Sequence, residues 1–462
     1  MDKQLLGVIV ALAWPTMVEQ IMQTAVQYVA TAMVGSLGPQ ATAAVGSTST
    51  VSWLIISSIS ALSIGFLSFI ARAYGANDKD AASKSVMQAV IVTLILGTIL
   101  TGVIVIIHPY VPVWMNVDAA IVKLASTYFL IVYLPMLPRA ATIMFGTVLR
   151  AAGDTKTPMK VGVMVNIINI ILNFFLIYET RVISLFGMNI KVFGAGLGVV
   201  GAAIAGAIAV TYGGIRITMV MWKHPMVSPK GQPFKLDTNI LLPCLKVALP
   251  NMIQRFATSF GFVMFASMIN SLGYISTTAH TVANTVESAF YIPGNGMQTA
   301  ASTLAGNAYG AKDKERMNAL AKMFIPIEIG LMVISGAALF LFAKPLVGIF
   351  SDNAEVIALG NTVLKMVALS EPFYGFSIIV EGLLLGVGNT KLPFMYNVGC
   401  MWGIRIVGTF ITTQILGYNL VAAWGCMIAH NMCLCMLYIR TYLSGRWNPL
   451  EWDPVAKKRI SA

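Results

Sequence analysis

Five carboxylates stand inside long apolar stretches of this 462-residue sequence: Glu19, Glu287, Glu328, Glu371 and Glu381. The bases Arg139, Arg216, Arg255, Lys365 and Arg405 share such surroundings. A charge in an apolar medium is costly, so each of these side chains is either functional or held in a structural ion pair. Glu287 and Glu371 lie near the middle of their stretches, where an acid can bind a proton or, with neighbouring oxygens, a sodium ion. Pairing with Arg255 or Lys365 is the structural alternative. Glu381 and Arg255 lie nearer the ends of their stretches, where they can pair with each other. A further stretch carries Asn166, Asn169 and Asn173, three and four residues apart, so that a helix puts all three amides on one face. Such a stripe suits interhelical hydrogen bonding, or cation or substrate binding in a wet cavity. Asn169 and Asn173 are the pair nearest to a possible Na+ site.

The elements that must hold these groups are membrane helices. The chain is 57% hydrophobic and 10% charged, with mean hydropathy +0.78, and a soluble protein of this length needs more charge to cover its surface. About twelve apolar runs are each long enough to cross about 30 Å of hydrocarbon as a helix, and none alternates as a barrel strand does. The first run continues past Pro15 to about Val34, too long for the apolar core of a cleaved signal, and is expected to remain as the first span. Five cysteines are scattered without metal or disulfide spacing. There is no P-loop, HExxH or serine elbow, so neither ATP-driven transport nor hydrolysis is expected. The reading is no enzyme and no cofactor.

The runs form a tandem repeat. Ala73-Tyr74-Gly75-Ala76 returns as Ala308-Tyr309-Gly310-Ala311, and the stretch around Gly153 returns around Gly388, both at an offset of about 235 residues. Pro15 maps onto Pro250, and Ser36-Leu37-Gly38 onto Ser271-Leu272-Gly273. Glu19, followed by Gln20, then has Gln254 as its repeat-mate. Glu19 joins the cation-coupling candidates, and Gln20, Gln254, Asn166 and Glu381 are candidates for lining a substrate cleft. The expected organisation is a first lobe at 1–222, a linker at 223–239 bearing three prolines, a second lobe at 240–444 and a basic tail at 445–462. One set of alternate loops and termini holds about twenty basic residues and the opposite set about four, which places both termini in the cytoplasm. Six spans per half make the repeats parallel, as in transporters that bind substrate between two bundles. The net charge of +12 is read as a topology anchor at anionic headgroups, not as a nucleic-acid site.

Val29-Ala30-Thr31-Ala32-Met33-Val34-Gly35, the two Ala-Tyr-Gly-Ala turns, Leu149-Arg150-Ala151-Ala152-Gly153-Asp154-Thr155-Lys156 and Trp402-Gly403-Ile404-Arg405 together resemble the bacterial branch of the multidrug and toxic compound extrusion (MATE) family. The resemblance covers nearly the whole chain. It implies an all-α membrane protein whose twelve helices form two parallel six-helix repeats in a V-shaped bundle. It also implies a monomer of the bacterial inner membrane that exports organic, often cationic or amphiphilic, compounds in exchange for Na+ or H+. In several members an aspartate before Thr-x-Met-x-Gly works with polar residues of the fifth span. Here that position is Ala30, so coupling is expected to shift to the second-half acids Glu287 and Glu371 or to be lost. The alternatives are a lipid-linked sugar flippase, which would be expected to gather basic residues in its cleft, and a channel or receptor, which would show no alternating access.

Overall fold

In the computed structural model, residues 3–451 are described, apart from 48, 116, 186 and 187. The basic triplet Lys457-Lys458-Arg459 lies outside the described residues. In chain order the first repeat folds as α1 (Lys3–Gly35), α2 (Pro39–Ser47), α3 (Ser49–Gly75), α4 (Lys79–Ile107), α5 (Val111–Trp114), α6 (Val122–Tyr133), α7 (Met136–Ala151) and α8 (Lys156–Leu176). An antiparallel hairpin, β1 (Glu179–Leu185) and β2 (Met188–Ala195), then leads into α9 (Gly198–Lys223). The second repeat follows as α10 (Thr238–Asn270), α11 (Tyr274–Phe290), α12 (Ile292–Gly310), α13 (Lys314–Gly348), α14 (Ala354–Ala368), α15 (Glu371–Gly386) and α16 (Lys391–Cys400). It ends with π-helical turns at Met401–Ile406 and Phe410–Ile415 around α17 (Val407–Thr409), and then α18 (Leu420–Leu443).

Among the described residues, nine helical segments are long and apolar enough to cross a membrane, and the bent pairs α6/α7 and α14/α15 raise this to eleven. The twelfth span expected from the sequence is α11 with α12. It carries Asn284, Glu287, Asn295 and Gln298, which lower its hydropathy, and much of α12 is buried in protein, where a polar helix is tolerated. Prolines explain the breaks: Pro135 precedes α7, Pro372 stands in the first turn of α15 and Pro293 in that of α12.

The repeat is built into the backbone. α1 and α10 are each 33 residues long, and the two broken spans bend by 48° and 52°. Left-handed backbone recurs at matched places: Asn77 and Lys312 (φ 56° and 54°), Gly153 and Gly388 (φ 81° and 77°). Both glycines follow a helix end, where a residue with a Cβ would be strained.

Contacts gather the chain into two compact units whose borders are not those of the repeats. One comprises Val18–Phe66 and Lys79–Leu242; the other comprises Met1–Met17, Leu67–Asp78 and Pro243–Ala462. In the first, Ile59, Ile104, Phe129 and Met136 form a buried cluster. In the second, Ile9, Leu12 and Ala13 of α1 pack with Met297, Leu304, Phe324 and Leu383.

Within the second unit the ends of α3 and α12 meet as a matched pair. A Cβ on Gly75 would collide with the Asn307 carbonyl, and a Cβ on Gly310 with the Arg72 carbonyl. Arg72 is the repeat-mate of Asn307. Its guanidinium lies 4.6 Å from the Tyr309 ring centroid and donates to the Val387 carbonyl. Gly75→Ala and Gly310→Ala should each cost about 1–3 kcal/mol through overpacking of backbone on backbone. Gly330→Ala, with nothing within 4 Å, should be neutral or slightly stabilising. Thermal unfolding of the three variants in detergent checks this, and equal stability of all three contradicts the close packing.

The linker is anchored inside the first unit. Gln88 donates to the Lys235 carbonyl (2.9 Å) and accepts from the Asp237 N–H (3.0 Å). The N–H groups of Met226 and Val227 donate to Nδ1 of His224 at 3.2 and 3.3 Å. Burial holds this imidazole below the usual histidine range, with Asp154 acting in the opposite sense. A base held lower in the folded state contributes stability that is intact above its unfolded value, about 6.5, and is lost as pH falls below it. His224→Asn should therefore weaken the fall in melting temperature between about pH 6.5 and pH 5. A pH profile identical to that of wild type would show that this contact plays no part.

Candidate functional site

The second unit holds a group of buried acids. Glu287 lies in the last turn of α11, Glu371 opens α15 and Glu328 lies on α13, and the three residues are 2%, 1% and 0% exposed. Glycines make room for two of them. A Cβ on Gly294 would lie 2.9 Å from Glu328 Oε1, one on Gly375 3.4 Å from Glu328 Cγ, and one on Gly336 3.3 Å from Glu371 Cβ. Tyr291, at the joint between α11 and α12, donates its hydroxyl to Glu287. Its ring lies 4.6 Å from that of Tyr374, which is within electrostatic reach of Glu287, Glu328, Glu371 and Glu381.

The cations near this group are fewer. Arg405 lies on a π-helical turn, a rare geometry often found at functional positions. Its guanidinium stands 4.2 and 4.8 Å from the Phe265 and Phe262 ring centroids, within electrostatic reach of Glu287. Arg255 interacts in the same way with Glu381. Glu381 Oε1 accepts from Gln254 Nε2 (3.0 Å) and Asn397 Nδ2 (3.3 Å). Among the described residues no cation lies at ion-pair distance from Glu287, Glu328, Glu371 or Glu381. Neither carboxyl oxygen of Glu328 or Glu371 has a hydrogen-bond partner. Lys365, a partner weighed from sequence, instead lies over the Phe340 ring at 5.3 Å. Also among the described residues, no three His, Cys, Asp or Glu side chains converge as a metal site.

The first unit treats its acid differently. Glu19, on α1 four residues beyond Pro15, is bound by Arg150 from the last turn of α7, with Nη2 donating to Oε1 (2.8 Å) and Oε2 (2.7 Å). In the sequence Arg150 stands out only as part of the 149–156 stretch, and nothing there marks it as the partner of Glu19. The three asparagines of α8 part company. Asn173 donates to Asn169 Oδ1 at 3.0 Å and keeps its own Oδ1 buried and unpartnered, whereas Asn166 lines a cavity with Glu19 and Arg150. Gln20 is exposed, and Ala30 is partly exposed and offers no carboxylate. Arg139 donates to the Val132 carbonyl (3.0 Å) beside the Tyr133 ring, and Arg216 is exposed near the end of α9, as expected of a snorkelling base.

A twelve-span helical chain with internal repeats and buried, unbalanced acids has the features of a membrane transporter. The MatE family model matches residues 15–175 and 250–411, one match per repeat, and the chain belongs to that family. It is 27% identical over 446 residues to the probable multidrug resistance protein NorM of Thermotoga maritima, covering 95% of this chain and 92% of that one. It is 24% identical over 432 residues to the probable multidrug resistance protein YoeA of Bacillus subtilis, covering 92% and 90%. Among solved structures, a MOP superfamily transporter from Pyrococcus furiosus shares the fold with a TM-score of 0.86 at 23% identity, over 96% of each chain. A multidrug resistance MATE family transporter in an outward-facing conformation does so with a TM-score of 0.85 at 23% identity, again over 96% of each chain. The chain is therefore a multi-pass membrane transporter and not an enzyme.

Proposed function

We propose that this protein is a secondary antiporter of the bacterial inner membrane, exporting organic, often cationic or amphiphilic, compounds in exchange for H+ or Na+. In this reading both termini are cytoplasmic and the working unit is a monomer. The repeats at 1–222 and 240–444 are the parts whose rearrangement alternates access. The names of the bacterial relatives support the compound class. The excess of buried carboxyls over guanidinium groups around Tyr374 supports the coupling. Unbalanced buried charge is costly, so such a site takes up a cation before it closes and releases it when water enters. Glu371 and Glu287 are the assigned coupling residues, with Tyr291 positioning Glu287. Because Ala30 leaves the first repeat without the acid used elsewhere in the family, the second repeat carries the exchange alone.

Reconstitution in liposomes tests this. Export of a fluorescent organic cation should require a pH or Na+ gradient and fall at least tenfold in Glu371→Gln and in Glu287→Gln. Transport that ignores both gradients, or survives both substitutions, contradicts the assignment. Ala30→Asp should alter the pH or Na+ dependence. If wild type is uncoupled and Ala30→Asp alone restores gradient dependence, coupling belongs to the first repeat instead.

A further inference from the structure

A cavity of about 390 Å³ opens in the first unit between the start of α4, the linker and the first turn of α10. Its volume is that of an ordinary small-ligand pocket. Its wall is fixed, because the buried Gln88 side chain pins the linker to α4 through the Lys235 carbonyl and the Asp237 N–H. Lys84 in this wall is already paired with Asp80 at 2.6 Å, and Asp80 also accepts from Gln232 (3.0 Å). Lys235, exposed, and Asp237, partly exposed, line the same cavity. Among the described residues neither is in an ion pair, with the other or with any third group. Asp237 caps α10 through Oδ1, which accepts from the Asn239 N–H at 2.9 Å. The cavity therefore presents one open cation and one open anion that do not satisfy each other.

The surroundings are those of a membrane interface. Phe234 and Leu236, on either side of Lys235, are 68% and 47% exposed, and a segment that sets apolar side chains beside a cation suits the level where head groups meet hydrocarbon. On α4, Lys84 and Gln88 share one side of the helix with Ile95, Ile99 and Ile106, at successive spacings of four and seven residues. These three isoleucines are exposed. A polar cup at the head of an apolar stripe has the outline of a phospholipid, not of a soluble anion. The open charges then select the head group. A phosphate suits the Lys235 ammonium, but a purely anionic head group would also meet the Asp237 carboxylate. A primary ammonium on the same head group offsets that cost and brings N–H donors to the carboxylate, which a quaternary ammonium lacks. We propose that this cavity binds a phospholipid whose head group carries a phosphate and a primary ammonium. The phosphate sits on Lys235, the ammonium on Asp237, and the acyl chains run along the α4 isoleucines. Which side of the membrane this is rests on the orientation proposed above; the binding rests neither on that nor on the export reading.

The test is native mass spectrometry of the purified full-length protein in detergent, titrated with dioleoyl phosphatidylethanolamine, phosphatidylcholine or phosphatidylglycerol. Contacts between exposed charges are modest, so wild type should bind the ethanolamine lipid about threefold more tightly than either of the others. Lys235→Gln, which leaves the backbone carbonyl that Gln88 uses, should weaken binding of the ethanolamine lipid about threefold. Asp237→Asn, which can still cap α10, should weaken it to a similar degree and lose the preference over the glycerol lipid. Equal affinity for the three lipids in wild type, tighter binding of the glycerol lipid, or wild-type affinity in either variant overturns the proposal. So does competition by glycerophosphoethanolamine, which has the head group but no chains, at the concentration of the lipid itself, because the site would then serve a soluble compound. Liposomes that move no organic cation under any gradient reject the export reading and leave these affinities standing.

Discussion

The structure depends on the cost of leaving polar groups unmatched where no water can reach them. In hydrocarbon that cost forces the backbone into helices, and it forces every buried side-chain charge to be paired, neutralised or used. Most of the polar side chains described here meet the first condition: Arg150 with Glu19, Gln254 and Asn397 with Glu381, Arg139 with a backbone carbonyl. Glu328 and Glu371 meet none of these conditions within the protein itself, and the glycines around them leave the room they occupy. A site held open for unmatched acids sets this molecule apart from an inert helical bundle.

The two repeats use one backbone plan for different chemistry. Matched kinks, turns and helix lengths show that the plan is shared. Position 19 carries an acid whose charge is cancelled by an arginine, whereas its repeat-mate Gln254 donates to an acid from another helix. The acid of the first repeat is thereby paired, while the second repeat gathers the unmatched carboxyls. The unit borders cut across the repeats, so the start of α1 and the end of α3 pack with second-repeat helices. A substitution in either segment acts on the packing around the acids as well as on its own repeat.

The helical plan was largely legible in the sequence because hydropathy, proline placement and the repeated glycine turns all report local constraints. The site was legible only as a set of residue types. An acid in an apolar run is visible in one dimension, but the 131 residues that separate Glu19 from Arg150 are closed only by tertiary packing, and Arg150 reads as an ordinary loop base. The asparagine stripe misleads for a similar reason. Helical spacing puts its members on one face, but Asn169 and Asn173 bond to each other while Asn166 lines a cavity that α8 shares with residues of α1, α7 and α9. Glu328 was visible as an intramembrane acid but had no partner in the sequence to give it a role. The α11/α12 span escapes a hydropathy test because its polarity is matched to a protein interior and not to lipid.

The central claim is that the unmatched acids of the second repeat hold a cation that the carried compound displaces. Titrating the purified protein with a transported organic cation in weakly buffered solution, while following released protons with a pH dye and released Na+ with a radiolabel, tests it most directly. The account predicts release of one of these ions as the compound binds, with the release lost in Glu371→Gln. Saturable binding of the compound that releases neither ion from the wild-type protein would contradict it.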